Sequence, residues 1–92
     1  MSMQLLQTVM STQFDNPKYK LMLAQMAHEA DENDTCHTAI GDIAKQCCLN
    51  LGKTFQCIQD LEQAGYIKIE KNIRDVCFKL NPARISEKSV RQ

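Results

Sequence analysis

Residues 40–80, IGDIAKQCCLNLGKTFQCIQDLEQAGYIKIEKNIRDVCFKL, decide how this chain is read. Ile40, Ile43, Ala44 and Cys47 recur at the spacing of one apolar helical face, and Gly41 within that helix costs about 1 kcal/mol relative to alanine. Cys48-Leu49-Asn50 then reads as a tight turn, with Leu49 inward and Asn50 placed to cap the next helix. The spacing predicts that second helix over 51–64, with Thr54, Cys57, Ile58 and Leu61 facing the core and Gly65 as a left-handed stop. Gly52, Gln56, Gln59 and Gln63 fall on the opposite side. Residues 66–70 and 75–80 alternate as strands, turning Ile67, Ile69, Val76, Phe78 and Leu80 inward, and Lys71-Asn72-Ile73-Arg74 links them as a hairpin with a basic tip.

Working outward, Leu5, Leu6, Val9 and Met10 keep helical spacing and form a short amphipathic lead-in within residues 1–16. Asp15-Asn16-Pro17 is a helix start signal, and a helix is expected from Pro17 to Ala30. Tyr19, Met22, Leu23, Met26, Ala27 and Ala30 share one side of it, and Leu21, Ala24 and His28 the other. The second side needs a cover, either the lead-in or a partner subunit in a homodimer paired through the N-terminal segment. Residues 31–38 hold three acids without periodicity and suit a solvated loop ending in a capping Thr38. After Pro82, residues 83–92 are basic, have little to bury and are expected to be a mobile tail. The expected architecture is therefore one mainly α domain with a small β-hairpin, a winged helix-turn-helix over residues 17–82.

Composition narrows the function classes. Ninety-two residues at 43% apolar content fill one small core and leave little room for a second domain or a deep pocket. Met1–Met10 lack a basic start and a cleavage site, and no stretch approaches 18 apolar residues, so the expectation is a cytoplasmic protein without membrane contact. Net charge is zero, yet residues 1–42 carry six acids and two bases, whereas residues 43–92 carry nine bases and five acids. The five cysteines, Cys36, Cys47, Cys48, Cys57 and Cys77, lack C-x-x-C spacing and are read as reduced structural thiols. Neighbouring side chains diverge on a strand or a helix, so neither Cys36-His37 nor Cys47-Cys48 can readily give two ligands to one ion, and no metal or cofactor is expected. His28 and His37 are not set beside a Ser and Asp for nucleophilic attack, and no Gly-rich phosphate loop occurs, so the chain is not read as an enzyme.

The second helix of the decisive stretch points to double-stranded DNA. A glutamine amide can make two hydrogen bonds to adenine in the major groove, which makes Gln56 and Gln59 the base-reading candidates. Gly52 would admit the phosphate backbone to the helix N-terminus, or would simply be a weak helix start. Backbone contacts would come from Lys53, from Lys71 and Arg74 on the wing, from Lys68 beside them, and from Lys18 or Lys20 near the start of the Pro17 helix, with Asn50 at the start of the DNA-facing helix. A rival reading takes Leu51 and Phe55 as a partner surface for a host or replication protein, with Leu5, Leu6, Val9 and Met10 as a second apolar surface. The acidic first half offers a third use, as a mimic of DNA.

Residues 8–80 resemble the helix-turn-helix domains of phage and plasmid replication initiators and related prophage regulators. The resemblance rests on Asn16-Pro17 with Lys20-Leu21-Met22-Leu23, on Thr35-Cys36-His37, on Ile43-Ala44 with Gln46-Cys47, and on Ile58 through Leu61 to Gly65-Tyr66-Ile67. It implies a DNA-binding role in transcription regulation or replication initiation of a mobile element. It also implies that Asn50 and Lys53 keep capping and phosphate-contact roles at the start of the recognition helix. Leu51 and Gly52 stand where such domains carry a basic pair, and Thr38 and Ala39 where they carry proline and serine.

Overall fold

A computed structural model describes residues 3–71, 73 and 76–87. Its elements run α1 (Met3–Met10), α2 (Pro17–Glu29), β1 (Thr35–Cys36), α3 (Ile40–Gln46), α4 (Leu51–Gln63), β2 (Ile67–Lys71), β3 (Val76–Leu80) and α5 (Pro82–Ser86). The protein is mostly helical with one small antiparallel sheet of order β1-β3-β2. Arg74 and residues 88–92 of the expected tail lie outside the described residues.

Local chemistry accounts for most element boundaries. The Asn16 side chain accepts the Lys18 N–H at 2.9 Å, and Pro17 supplies a preset φ at the first position of α2. Asn50 starts α4 likewise, its Oδ1 accepting the Lys53 N–H at 2.7 Å. Gly65 ends α4 with φ +86°, a conformation that side chains with a Cβ rarely adopt, and the Tyr66 N–H returns to the Leu61 carbonyl at 3.0 Å. The start of α3 differs from expectation: Ala39, not Thr38, is its N-cap, and no side chain bonds there.

The core centres on α2. Met22, Leu23, Met26 and Ala27 have no accessible surface, and α2 packs against α1, α3, α4, β1 and β3. Leu5 and Val9 of α1 belong to that same core, and Leu6 packs against it. This corrects the expected second apolar surface: three of its four residues are turned into their own chain, and only Met10, 57% exposed, stays outside. On the second side of α2, Leu21 and His28 remain exposed and Ala24 is half-buried.

Three further differences follow, two of them in the sheet. Residues 35 and 36 form β1 inside the expected loop, because Thr35 and Cys36 pair with Lys79 and Phe78 of β3. Asp31 closes the outer edge of β1: its Oδ1 accepts the Asn33 and Thr35 N–H groups at 2.8 and 3.2 Å, and its own N–H donates to the Thr35 carbonyl at 3.0 Å. Those backbone donors, with the His37 ring at 3.0 Å from Oδ2, hold the Asp31 carboxyl below the usual carboxylate range. At the other edge, the Ile69 N–H of β2 donates to Glu62 of α4 at 3.0 Å. Val76, expected inward, is 39% exposed beside the hairpin end, while Cys77 of the opposite parity is buried.

The third difference concerns the start of the expected tail. Asn81 caps α5 through the Arg84 N–H at 3.3 Å, Ile85 is fully buried, and its carbonyl lies 3.3 Å from the buried Thr12 hydroxyl. Arg84 donates to the Ala64 carbonyl at 3.0 Å and lies over the Tyr66 ring, which meets Phe14 edge-on at 5.3 Å. Residues 82–86 are therefore a docked helix that closes the end of α4.

Truncating Ile85 to alanine should lower unfolding stability in urea by about 2–4 kcal/mol, the usual cost of such a cavity. A mobile segment there would leave stability unchanged. No disulfide joins the five cysteines, and four of them are buried; burial pushes Cys57 up to about 11 and also raises Cys36 and Cys47. A chromogenic thiol reagent at pH 8 should thus titrate Cys48 promptly and the other four only on unfolding.

Candidate nucleic-acid interface

At 100° per residue the buried face of α4, Thr54, Cys57, Ile58 and Leu61, fixes what its other sides present. Gly52, Gln56 and Gln59 point away from the core, all exposed. Lys53 and Asp60 flank that stripe on the side of α2, and Leu51, Phe55 and Glu62 on the side of β2. Two contacts anchor these flanks: Asp60 accepts the Tyr19 hydroxyl of α2 at 3.0 Å, and Glu62 accepts the β2 backbone N–H already described.

Between the start of α2 and the first turns of α4 lies a cleft of about 130 Å³ lined by Asn16, Lys18, Tyr19, Lys53, Gln56, Cys57 and Asp60. It gathers three of the residues singled out from sequence, Lys18, Lys53 and Gln56, although 35 positions separate the two lysines. Neither lysine has a carboxylate within ion-pair distance among the described residues. Asn16 and Tyr19 carry only structural readings in the sequence, as helix start and inward-facing residue, and Asp60 carries none. Asp60 holds the cleft together, since its second oxygen accepts the Gln56 amide at 3.0 Å. The hydrogen bond to Asp60 raises the Tyr19 phenol above its ordinary value. The Gln56–Asp60 spacing of four was a legible signal, because such pairs meet on a helix surface.

Other candidates lie elsewhere. Lys68 lines a separate cleft of about 310 Å³ with Asp34, Gly65, Ile67, Lys79, Leu80, Asn81 and Pro82, beyond the C-terminal end of α4. It stands directly across the sheet from Lys79, so two like charges share one rung. Lys71, exposed and paired with Val76, marks the hairpin end, and Lys20 is half-buried on α2 outside the first cleft. The Gln59 side chain is exposed with no hydrogen-bond partner among the described residues. Leu51 and Phe55, one turn apart, are 54% and 50% exposed.

Models of known protein families return no match for the chain, and curated proteins return none either. Among the described residues no helix is long and apolar enough to cross a membrane.

Gly52 sits in α4 without need of its conformational freedom: an added Cβ would meet only Asn50 Oδ1, at an ordinary 3.5 Å. Gly52→Ala should therefore stabilise the fold, by about 0.5–1 kcal/mol in chemical denaturation. A loss of stability would mean that the chain itself requires the glycine.

Proposed function

We propose that this chain is a non-enzymatic, cytoplasmic winged helix-turn-helix protein that binds double-stranded DNA, acting in transcription regulation or replication initiation of a phage, prophage or plasmid. In this reading α3, the turn and α4 are the helix-turn-helix, α4 enters the major groove, and the β2–β3 hairpin is the wing on the backbone. The observation that carries it is the convergence of Lys18 and Lys53, from two separate helices, on a cleft beside the exposed stripe of Gly52, Gln56 and Gln59. Two ammonium groups, unpaired among the described residues, supply backbone positioning, and the amide side chains beside them base readout. Lys71 stands at the hairpin end of the wing, and Lys68, with Lys79 across the sheet, lines a separate cleft beyond the C-terminal end of α4.

Half-exposed Leu51 and Phe55 favour a second reading, a protein-docking winged helix. Salt separates the two. With about four phosphates neutralised per chain, affinity for a randomised duplex pool should fall by roughly two orders of magnitude between about 50 and 200 mM salt. Lys18→Ala with Lys53→Ala, or Lys71→Ala with Arg74→Ala, should weaken binding to all sequences alike, whereas Gln56→Ala should alter the selected motif. Absence of retention at the lower salt would transfer the assignment to the Leu51 and Phe55 flank.

A further inference from the structure

We infer that Asp60 is a specificity-positioning residue, locking the Gln56 amide so that α4 shows the major groove one acceptor beside one donor and selects adenine over guanine. The inference rests on the DNA-binding reading above. A carboxylate only accepts, so the group of Gln56 that lies 3.0 Å from Asp60 Oδ1 is its NH₂, and the carbonyl oxygen is the end turned elsewhere. One of the two amide N–H donors is thereby committed.

An (i, i+4) pair on a helix surface is weak by itself. Here the carboxylate is also held from another helix, because its Oδ2 accepts the Tyr19 hydroxyl at 3.0 Å and Asp60 is half-buried. Tyr19 packs against the core, so the position of Asp60 is set by tertiary structure and that of Gln56 depends on it. Guanine offers two acceptors, N7 and O6, to the major groove, and adenine an acceptor at N7 and a donor at N6. A locked glutamine with one free donor and one acceptor matches adenine and sets its carbonyl oxygen against guanine O6. A glutamine free to turn its whole NH₂ outward loses that discrimination. Asp60 is also a negative charge in a cleft that otherwise offers Lys18 and Lys53. It therefore works against backbone attraction while it orders the amide, and this separates a positioning role from a merely structural one.

Selection on a randomised duplex pool, run with the parent chain and with Asp60→Ala at one salt, tests the inference. The parent should enrich adenine over guanine about tenfold at one position, and Gln56→Ala should erase that enrichment at the same position. Asp60→Ala should erase it as well while raising affinity for unselected duplex, and adding Asp60→Ala to Gln56→Ala should change the base preference no further. An Asp60→Ala motif identical to the parent's, or a uniform loss of affinity with the motif kept, overturns the positioning role and leaves the DNA-binding reading standing. Failure of the parent to bind duplex removes both. A readout without DNA guards against misfolding of the variant: in ¹⁵N spectra of the free protein, one Gln56 side-chain N–H should exchange with solvent more slowly than those of Gln59. Tyr19→Phe should diminish that difference, and equal exchange at Gln56 and Gln59 in the parent contradicts the lock.

Discussion

Burial of Met22, Leu23, Met26 and Ala27 is the constraint on which the remaining structure depends. A helix of 13 residues cannot hold its shape alone in water, and α2 gains its stability from the elements around it. Fully burying a side chain such as Leu23 or Met26 contributes about 1.5–3 kcal/mol. Because α1, α3, α4 and the sheet all close on this one helix, each has a fixed inner face and hence a fixed outer one. The surface of the protein is in that sense decided by its centre.

For α4 the consequence is a defined exposed stripe. Its inner face is set by contact with α2, α3 and β2, and its two flanks are tied by carboxylates, Asp60 to Tyr19 and Glu62 to the β2 backbone. The stripe between those ties is left to solvent. The same packing sets the first turn of α2 beside the first turns of α4, which is how Lys18 joins Lys53. The division of the sequence into an acidic first part and a basic second part thus does not describe the folded surface, since a lysine of the acidic part lines the basic cleft.

What could be read from the sequence was local. Asn50 and Gly65 bound α4 because capping and positive φ are properties of single residues, and the periodicity between them names its buried face. What escaped was made by distant partners. β1 is two residues long, too short for alternation to register, and exists because Lys79 and Phe78 stand beside it. α5 carried a legible signal in Asn81-Pro82, a cap before a proline, yet one large apolar residue, Ile85, gave no reason to expect burial. Leu5 and Val9 had the right spacing, but which body they would bury against was not a property of their own segment. In the cleft, Gln56 and Lys53 were legible on α4; the bond from Tyr19 to Asp60 spans 41 positions and leaves no mark on either neighbourhood.

In the proposed reading the start of α2, the outer stripe of α4 and the hairpin together face duplex DNA. Chemical-shift mapping of the ¹⁵N-labelled chain with a mixed-sequence duplex at about 50 mM salt, where phosphate contacts are strong, tests it most directly. Shifts are expected to gather at Lys18, Gly52, Lys53, Gln56, Gln59 and Lys71, with α5 and the Lys68–Lys79 rung quiet. No shifts, or shifts centred on that far rung, would contradict it.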